Sequence, residues 1–165
     1  MQLYSDGARN FLFMNVPPVD RAPNGLEMSQ SNRTAEAAYI ARFNFRLGAL
    51  AWNLITWHPD TTVFQFDTNY LFTKVLNNPA EFPETARYRN TTNYCLAYME
   101  WVLSGYSNGP DLQAELISIS GTPTLTFFDP SCGIAVNEYF WLDTLHPTYP
   151  MHNFMASQIV KLFEV

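Results

Sequence analysis

The run FLFMNV (11–16) is apolar on nearly every residue and ends at Pro17-Pro18. A strand with one face in water alternates apolar and polar residues, whereas a strand covered on both faces reads as a continuous apolar run. Proline cannot continue the hydrogen-bond ladder of a sheet. The run therefore predicts a covered strand of a parallel sheet, and such a sheet needs a long crossover connection.

The following residues have the pattern of that crossover. Apolar residues recur at spacings of three and four over 34–57, which predicts a helix with one buried stripe, capped by Thr34. TTVFQF (61–66) is rich in β-branched and aromatic residues and predicts a second strand. Strand, helix and strand in this order form a right-handed crossover unit of an α/β fold. The predicted stripe contains Ile40, Phe43, Leu47, Leu50 and Leu54.

Two more helices are predicted. Asp67 is placed to cap a short helix over 68–77, which Pro79 ends. An amphipathic helix is predicted over 149–163. The residues between, 80–137, show no clean period and several turn signals, so we interpret them as a long, irregular excursion. The buried face predicted for the last helix contains Met151, Met155, Ile159 and Leu162.

Composition limits the classes of function. At 165 residues and 47% apolar content, the chain is long enough for one domain with a core. Its net charge of -6 opposes binding to nucleic acid or anionic lipid and favours neutral substrates. No apolar stretch has the roughly 18 residues of a membrane helix. Two cysteines and three histidines show no zinc-like spacing, so we predict neither a metal nor a cofactor.

Four residues favour an oxidising compartment. Asn32 and Asn90 begin glycosylation sequons, and Cys95 and Cys132 could form a disulfide. The first residues lack the charged start and apolar core of a signal peptide, which predicts a cytosolic location if Met1 is the true start. We interpret the sequence as descended from a secreted protein that has lost its signal.

The segment FWLDTLHPT (140–148) carries the clearest chemical signal. It places Asp143 three residues before His146. A carboxylate at this distance can orient an imidazole as general base and stabilise its charged form. A base needs a nucleophile, and no upstream serine or cysteine has a setting that marks it as one. The segment therefore predicts half of a catalytic apparatus.

Three blocks together resemble a known family. They are ARNFLFMNVPPVDRAP (8–23), VFQFDTNYLFTKVLNNP (63–79) and NEYFWLDTLHPTYPMHNFMA (137–156). They are similar to the C-terminal half of SGNH, or GDSL-type, ester hydrolases, above all the fungal secreted acetyl esterases of carbohydrate esterase family sixteen. The resemblance implies a flavodoxin-like sandwich, a parallel sheet between two layers of helices. It matches Asp143 to the orienting acid and His146 to the base.

The resemblance also implies what is missing. In that family, a serine in a Gly-Asp-Ser turn after the first strand is the nucleophile. That serine's amide, a glycine and an asparagine form the oxyanion hole. These blocks should precede residue 1, so the resemblance implies one partial domain over 1–165 without nucleophile, oxyanion hole or N-terminal strands. Because one missing oxyanion donor alone costs about 100- to 1,000-fold in rate, we expect the chain to be nearly inactive.

The family also implies an extracellular location and a small acyl ester as substrate, such as an acetyl group on a sugar. An alternative from another class is a non-catalytic interaction protein that keeps part of the fold, with its apolar edges covered by a partner or a self-pairing contact. The segment 103–128 has no counterpart in the family pattern, and a translated intron would explain it.

Ser107 offers a third alternative. It is the central residue of a Gly-x-Ser-x-Gly pattern typical of α/β-hydrolases, but Pro110 follows where that motif requires a helix. Two further features favour structural roles. His152 falls within the last predicted helix, where a local hydrogen bond is expected. The aromatic residues 139–141 could stack on a sugar, but their position favours the core.

Overall fold

The computed structural model describes residues 2–100 and 128–164. Its helices are α1 (Gln2–Ser5), α2 (Pro23–Glu27), α3 (Gln30–Trp57), α4 (Thr68–Asn77) and α5 (Tyr149–Phe163), and its strands are β1 (Asn10–Met14) and β2 (Thr62–Phe66). Residues 96–100 are also helical. Short 3-10 turns lie at Val19–Arg21, Pro79–Glu81, Pro130–Cys132 and Val136–Glu138. None of the described helices combines the length and the apolar content needed to cross a membrane.

β1 and β2 form a small parallel sheet. The register pairs Asn10 with Thr62 and Met14 with Phe66. The connection between the two strands runs through α3, so the predicted order of strand, helix and strand is confirmed. The mixture of helices with a parallel sheet is that of an α/β fold. β1 begins one residue earlier and ends two residues earlier than predicted, before Asn15 and Val16.

The two strands differ in how well they are covered. β2 has α3 on one face, where Gln65 lies close to Gly48, and α5 on the other, where the Phe64 and Phe163 rings meet edge-on at 4.7 Å. On β1, Leu12 is 37% and Met14 is 39% exposed. The prediction of a strand covered on both faces was therefore wrong for β1, because the described elements leave these side chains partly in solvent.

α3 begins earlier than predicted. Its N-cap is Ser29, whose side chain accepts a hydrogen bond from the Asn32 N–H, and not Thr34. Thr34 lies inside the helix and donates its hydroxyl to the carbonyl oxygen of Gln30. The first turn is polar throughout, so apolar spacing could not reveal where the helix starts.

The predicted stripe on α3 is only partly buried. Ile40 and Leu54 are buried and Leu47 is half-buried, whereas about half of Phe43 and of Leu50 is exposed. Large apolar residues occur all around this helix. A single spacing pattern therefore could not distinguish the side that faces the sheet from the side that faces solvent.

The main core lies beside the sheet, between α4, α5 and the segment just before the Asp-His loop. The bounds of α4 and α5 agree with the prediction, and Asp67 caps α4 through the Tyr70 N–H at 2.9 Å. Residues 139–141 are buried, which confirms the interpretation of these aromatics as core. The core cluster contains Ala22, Leu71, Phe72, Val75, Leu76, Tyr88, Phe140, Trp141, Met151 and Phe154.

A second cluster surrounds a disulfide. Cys95 and Cys132 are bonded to each other, with their Cα atoms 5.6 Å apart. Tyr98 donates its hydroxyl to the carbonyl oxygen of Ile134 at 2.7 Å and packs with Tyr139. The described ends of the predicted excursion are therefore held together. Apart from Phe128, the segment 103–128, including Ser107, lies outside the described residues.

Candidate functional site

The Asp-His segment is a closed loop that projects from the core. Its two ends are joined by the N–H of Thr148, which donates to the carbonyl oxygen of Phe140 at 2.7 Å. One step closer to the tip, the N–H of Leu142 donates to the carbonyl oxygen of His146 at 2.8 Å. These bonds hold residues 143–146 together as a tight turn.

Parts of the chain distant in sequence brace this loop. The N–H of Phe140 donates to Asn90 at 2.7 Å, and the indole N–H of Trp141 donates to the carbonyl oxygen of Thr91 at 2.9 Å. The buried hydroxyl of Thr148 donates to the carbonyl oxygen of Tyr139 at 2.6 Å. Because Phe140 and Trp141 are buried, the loop rises from a well-packed base.

The tip of the loop is also tied to the segment that follows β1. The N–H of Asn24 in α2 donates to the carbonyl oxygen of Thr144 at 3.0 Å. The adjacent turn requires a glycine, since a Cβ at Gly25 would lie 2.5 Å from the carbonyl oxygen of Asp20. The two chain segments nearest to the Asp-His pair are thus fixed relative to each other.

Within the loop, the structure brings Asp143 and His146 together. The Nδ1 of His146 lies 2.8 Å from Oδ2 of Asp143. The other carboxylate oxygen, Oδ1, accepts the backbone N–H groups of Leu145 and His146, each at 2.7 Å. One carboxylate therefore shapes the turn and holds the imidazole at the same time.

The electrostatics define which nitrogen carries the proton. Partial burial raises the pKa of Asp143, but the backbone N–H groups of His146 and Leu145 and the imidazole outweigh it and hold this pKa below its ordinary value of 3.8. The carboxylate is therefore ionised at neutral pH and can only accept, so Nδ1 carries the hydrogen. In the neutral form of the ring, this leaves the lone pair on Nε2, on a side chain that is 69% exposed.

This arrangement can act as a general base toward a group brought to Nε2. Among the described residues, Asp143 is the hydrogen-bonding partner of the His146 ring, and no serine, threonine or cysteine side chain bonds to it. The described part of the chain thus presents an imidazole held by a carboxylate, with no hydroxyl or thiol bonded to it.

Sequence reasoning missed an amide cluster at the carboxyl ends of the strands, the edge where open α/β sheets bind ligands. Asn15 donates to Asp67 at 2.7 Å and accepts the N–H of Asn69 at 2.8 Å. Asn44 of α3 bonds both the N–H and the carbonyl oxygen of Val16 at 2.9 Å. Asp67 directly follows the second predicted strand and was a usable signal, whereas Asn15 fell inside the first predicted strand, which ends two residues earlier than expected.

The side chains of the remaining predicted residues take no part in the contact between Asp143 and His146. Asn32 is exposed in the first turn of α3, while Asn90 is half-buried and its Oδ1 accepts the N–H groups of Thr92 and Asn93. His152 lies on the exposed side of α5. Within residues 2–100 and 128–164, no three histidine, cysteine, aspartate or glutamate side chains converge on a point that could hold a metal ion.

The chain matches no family model. It is similar to an acetylesterase of Thermothelomyces thermophilus, with 31% identity over 102 residues. The match covers 60% of this chain and 34% of that protein, so the chain spans about a third of the length of its relative. The chain is therefore a distant, partial relative of an esterase.

Proposed function

We propose that this chain carries the acid–base pair of an ester hydrolase. The observation that carries the proposal is the 2.8 Å contact between Nδ1 of His146 and the ionised Asp143, in a loop braced by the core. The similarity to an acetylesterase supports an ester as the bond that is cleaved. An exposed histidine without such a carboxylate would have neither a fixed ring orientation nor a negative charge to stabilise its imidazolium form.

The geometry supports a defined sequence of proton transfers. Nε2 of His146 accepts the proton of a hydroxyl as that hydroxyl attacks the ester carbonyl, and Asp143 stabilises the imidazolium that forms. The imidazolium then donates this proton to the leaving alkoxide. In the second half of the reaction, the same nitrogen deprotonates the water that attacks the acyl group, and it returns this proton to the hydroxyl oxygen as the acid is released.

The proposal of a particular family and substrate rests on the three sequence blocks 8–23, 63–79 and 137–156. We propose an SGNH-type enzyme with a flavodoxin-like sandwich that removes acetyl groups from sugars outside the cell. We assign no residue of this chain as nucleophile or oxyanion donor. The 165-residue polypeptide, assayed by itself, is therefore expected to show almost no turnover.

A second candidate is an interaction protein without catalysis. The exposed aromatic residues of α3 favour it, since Tyr39 is 70%, Trp52 67% and Trp57 77% exposed. Soluble monomers rarely leave so much aromatic surface in water on one helix. The third alternative, with Ser107 as nucleophile, lies outside the described residues and stays a hypothesis.

A chimera tests the proposed function. Residues 1–165 of this chain, which include Asp143 and His146, replace the corresponding part of the acetylesterase, and hydrolysis of an activated acetyl ester is measured. We expect activity that His146→Ala removes and that Asp143→Asn lowers by roughly 10,000-fold, the loss found for the equivalent change in a serine-protease triad. His152→Ala is the matched control and should leave the activity unchanged.

Folding of each chimera is checked by circular dichroism, so that loss of activity and loss of structure are separated. A folded, active chimera that does not depend on His146 would contradict the proposal. The unmodified 165-residue chain is treated with a fluorophosphonate, and its intact mass is measured. An adduct at Ser107 would favour the third alternative.

A further inference from the structure

One side of α3, next to the side that carries the buried Ile40 and Leu54, has a continuous stripe of large and partly exposed side chains. We define the α3 stripe as Glu36, Tyr39, Phe43, Arg46 and Leu50. The separations of three and four residues place these side chains one above the other on a helix. About half of Phe43 and of Leu50 is exposed, and Tyr39 is more exposed still.

A groove runs along the first half of this stripe. It has a volume of about 530 Å³, is open to solvent, and lies between α3 and the segment that follows β1, represented by Val16 and Met28. Tyr39 and Phe43 line it. The groove and the stripe therefore form one elongated, largely apolar surface.

Two opposite charges lie on this surface, and neither has a partner in the described part of the chain. Oε2 of Glu36, in the groove, is shielded from solvent and accepts no hydrogen bond. Arg46 is exposed and makes no ion pair with a described residue. A carboxylate oxygen shielded from solvent without a donor is unfavourable, and the Glu36 side chain remains partly exposed, so a cation placed over the groove can supply the missing interaction.

We infer that the α3 stripe is a homodimer interface in which two copies of α3 pack antiparallel. A two-fold axis that meets the stripe midway between Tyr39 and Phe43, at the height of residue 41 along the helix, would place Glu36 of one protomer opposite Arg46 of its partner, because each lies five residues from that height. The same axis would place Tyr39 opposite Phe43, each two residues away. The symmetry repeats both contacts.

The order of charges along the stripe is what selects a second copy as the occupant. A two-fold interface has to be self-complementary, since the same patch faces itself in reverse. Glu36 and Arg46 are placed symmetrically about the Tyr39–Phe43 pair, so reversing the stripe exchanges the acid for the base. Aromatic residues with arginine are also enriched in protein interfaces.

The two kinds of contact have different roles. Burial of the aromatic rings provides most of the favourable free energy of association, because it removes apolar surface from water. The two ion pairs contribute less energy but fix the register and the antiparallel direction. Charge reversal at one position would then oppose like charges twice in each dimer.

Analytical ultracentrifugation of the full chain over a dilution series tests this inference. We expect a wild-type species of about twice the 18.9 kDa chain mass. Glu36→Arg and Arg46→Glu should each raise the dimer Kd at least about tenfold. The double variant should restore dimerisation. Arg87→Glu, a charge reversal at an exposed residue away from α3, is the matched control.

Mixing the two single variants gives the sharpest result. A heterodimer of Glu36→Arg and Arg46→Glu regains both opposite-charge contacts, so the mixture should dimerise although each variant alone does not. Phe43→Ala, which leaves the charges intact, should also raise the Kd. Circular dichroism verifies that every variant is folded.

Several outcomes would overturn the inference. These are a wild-type chain that stays monomeric at all concentrations, a mixture that does not associate, and a control variant that dissociates as fully as Arg46→Glu. A monomer that co-sediments with phosphatidylcholine vesicles would assign α3 to a membrane surface instead.

Discussion

At the scale of single residues, Asp143 does most to define the site. Its two oxygens accept from the backbone N–H groups of Leu145 and His146 and contact the imidazole of His146. The spacing of the two residues in the sequence predicted the contact to the imidazole. It could not predict the two backbone hydrogen bonds, because these depend on how residues 143–146 turn.

Asp143→Ala should loosen this turn. The N–H groups of Leu145 and His146 lose a charged acceptor, a type of hydrogen bond worth about 1.5–3 kcal/mol. We expect amide hydrogen exchange at these two positions to accelerate about tenfold or more. His146→Ala is the control, since it keeps both backbone bonds, and equal acceleration in both variants would contradict this account.

Protonation of Asp143 at low pH should weaken the hydrogen bonds that hold the turn of residues 143–146. Because the pKa of Asp143 is lower in the folded chain than its ordinary 3.8, the unfolded chain binds the proton more readily. The stabilisation is therefore complete above about pH 4 and is lost as the pH falls through the folded pKa. The amide NMR shifts of Leu145 and His146 should follow a transition below pH 3.8, which Asp143→Asn should abolish.

Thr148→Val tests how the base of the loop is held. Valine keeps the shape but removes the hydroxyl that donates to the buried carbonyl oxygen of Tyr139 at 2.6 Å. An unsatisfied buried acceptor costs about 1–3 kcal/mol, so the free energy of unfolding should fall by that amount in urea denaturation. A change below 0.5 kcal/mol would show that water replaces the lost donor.

At the scale of elements, sequence patterns predicted helix bounds better than they predicted which faces of the helices and strands are buried against other elements. The cap and bounds of α4 were predicted because Asp67 and Pro79 mark both of its ends. The partial exposure of β1 was not predicted. An apolar run indicates that a strand is stabilised by burial of both faces, but it does not show whether other elements pack on those faces. On α3, apolar residues surround the helix, so spacing did not identify the exposed side.

The disulfide should stabilise the element pair that it joins. Cys95 and Cys132 close a loop with a sequence separation of 37, for which restriction of the unfolded chain is worth about 3–4 kcal/mol. Replacing both residues with alanine should lower the free energy of unfolding by a comparable amount. Thiol titration of the folded wild-type chain is the companion measurement, and two reactive thiols would contradict the bond.

At the scale of the whole molecule, stability is concentrated away from the sheet. The ring of Phe140 is fully buried against Tyr88, Trp141 and Phe72. By contrast, Phe45 of α3 is largely exposed. Sequence composition indicated that a core exists but could not locate it, because composition counts both residues alike as phenylalanines.

A pair of matched substitutions measures this asymmetry. Phe140→Ala should cost about 3–5 kcal/mol, since it leaves a cavity among buried rings. Phe45→Ala should change the free energy of unfolding by less than about 0.5 kcal/mol, as expected for a surface position. Urea denaturation of both variants provides the comparison, and similar losses would contradict the placement of the core.

The bracing of the Asp-His loop has a kinetic consequence. Trp141 bonds to Thr91 across 50 positions of sequence, and Thr144 bonds to Asn24 across a still longer separation. Contacts of this kind form only after the entropy of closing long loops has been overcome. We therefore expect the loop to dock onto the core late, and the indole N–H resonance of Trp141 should follow the final stage of refolding.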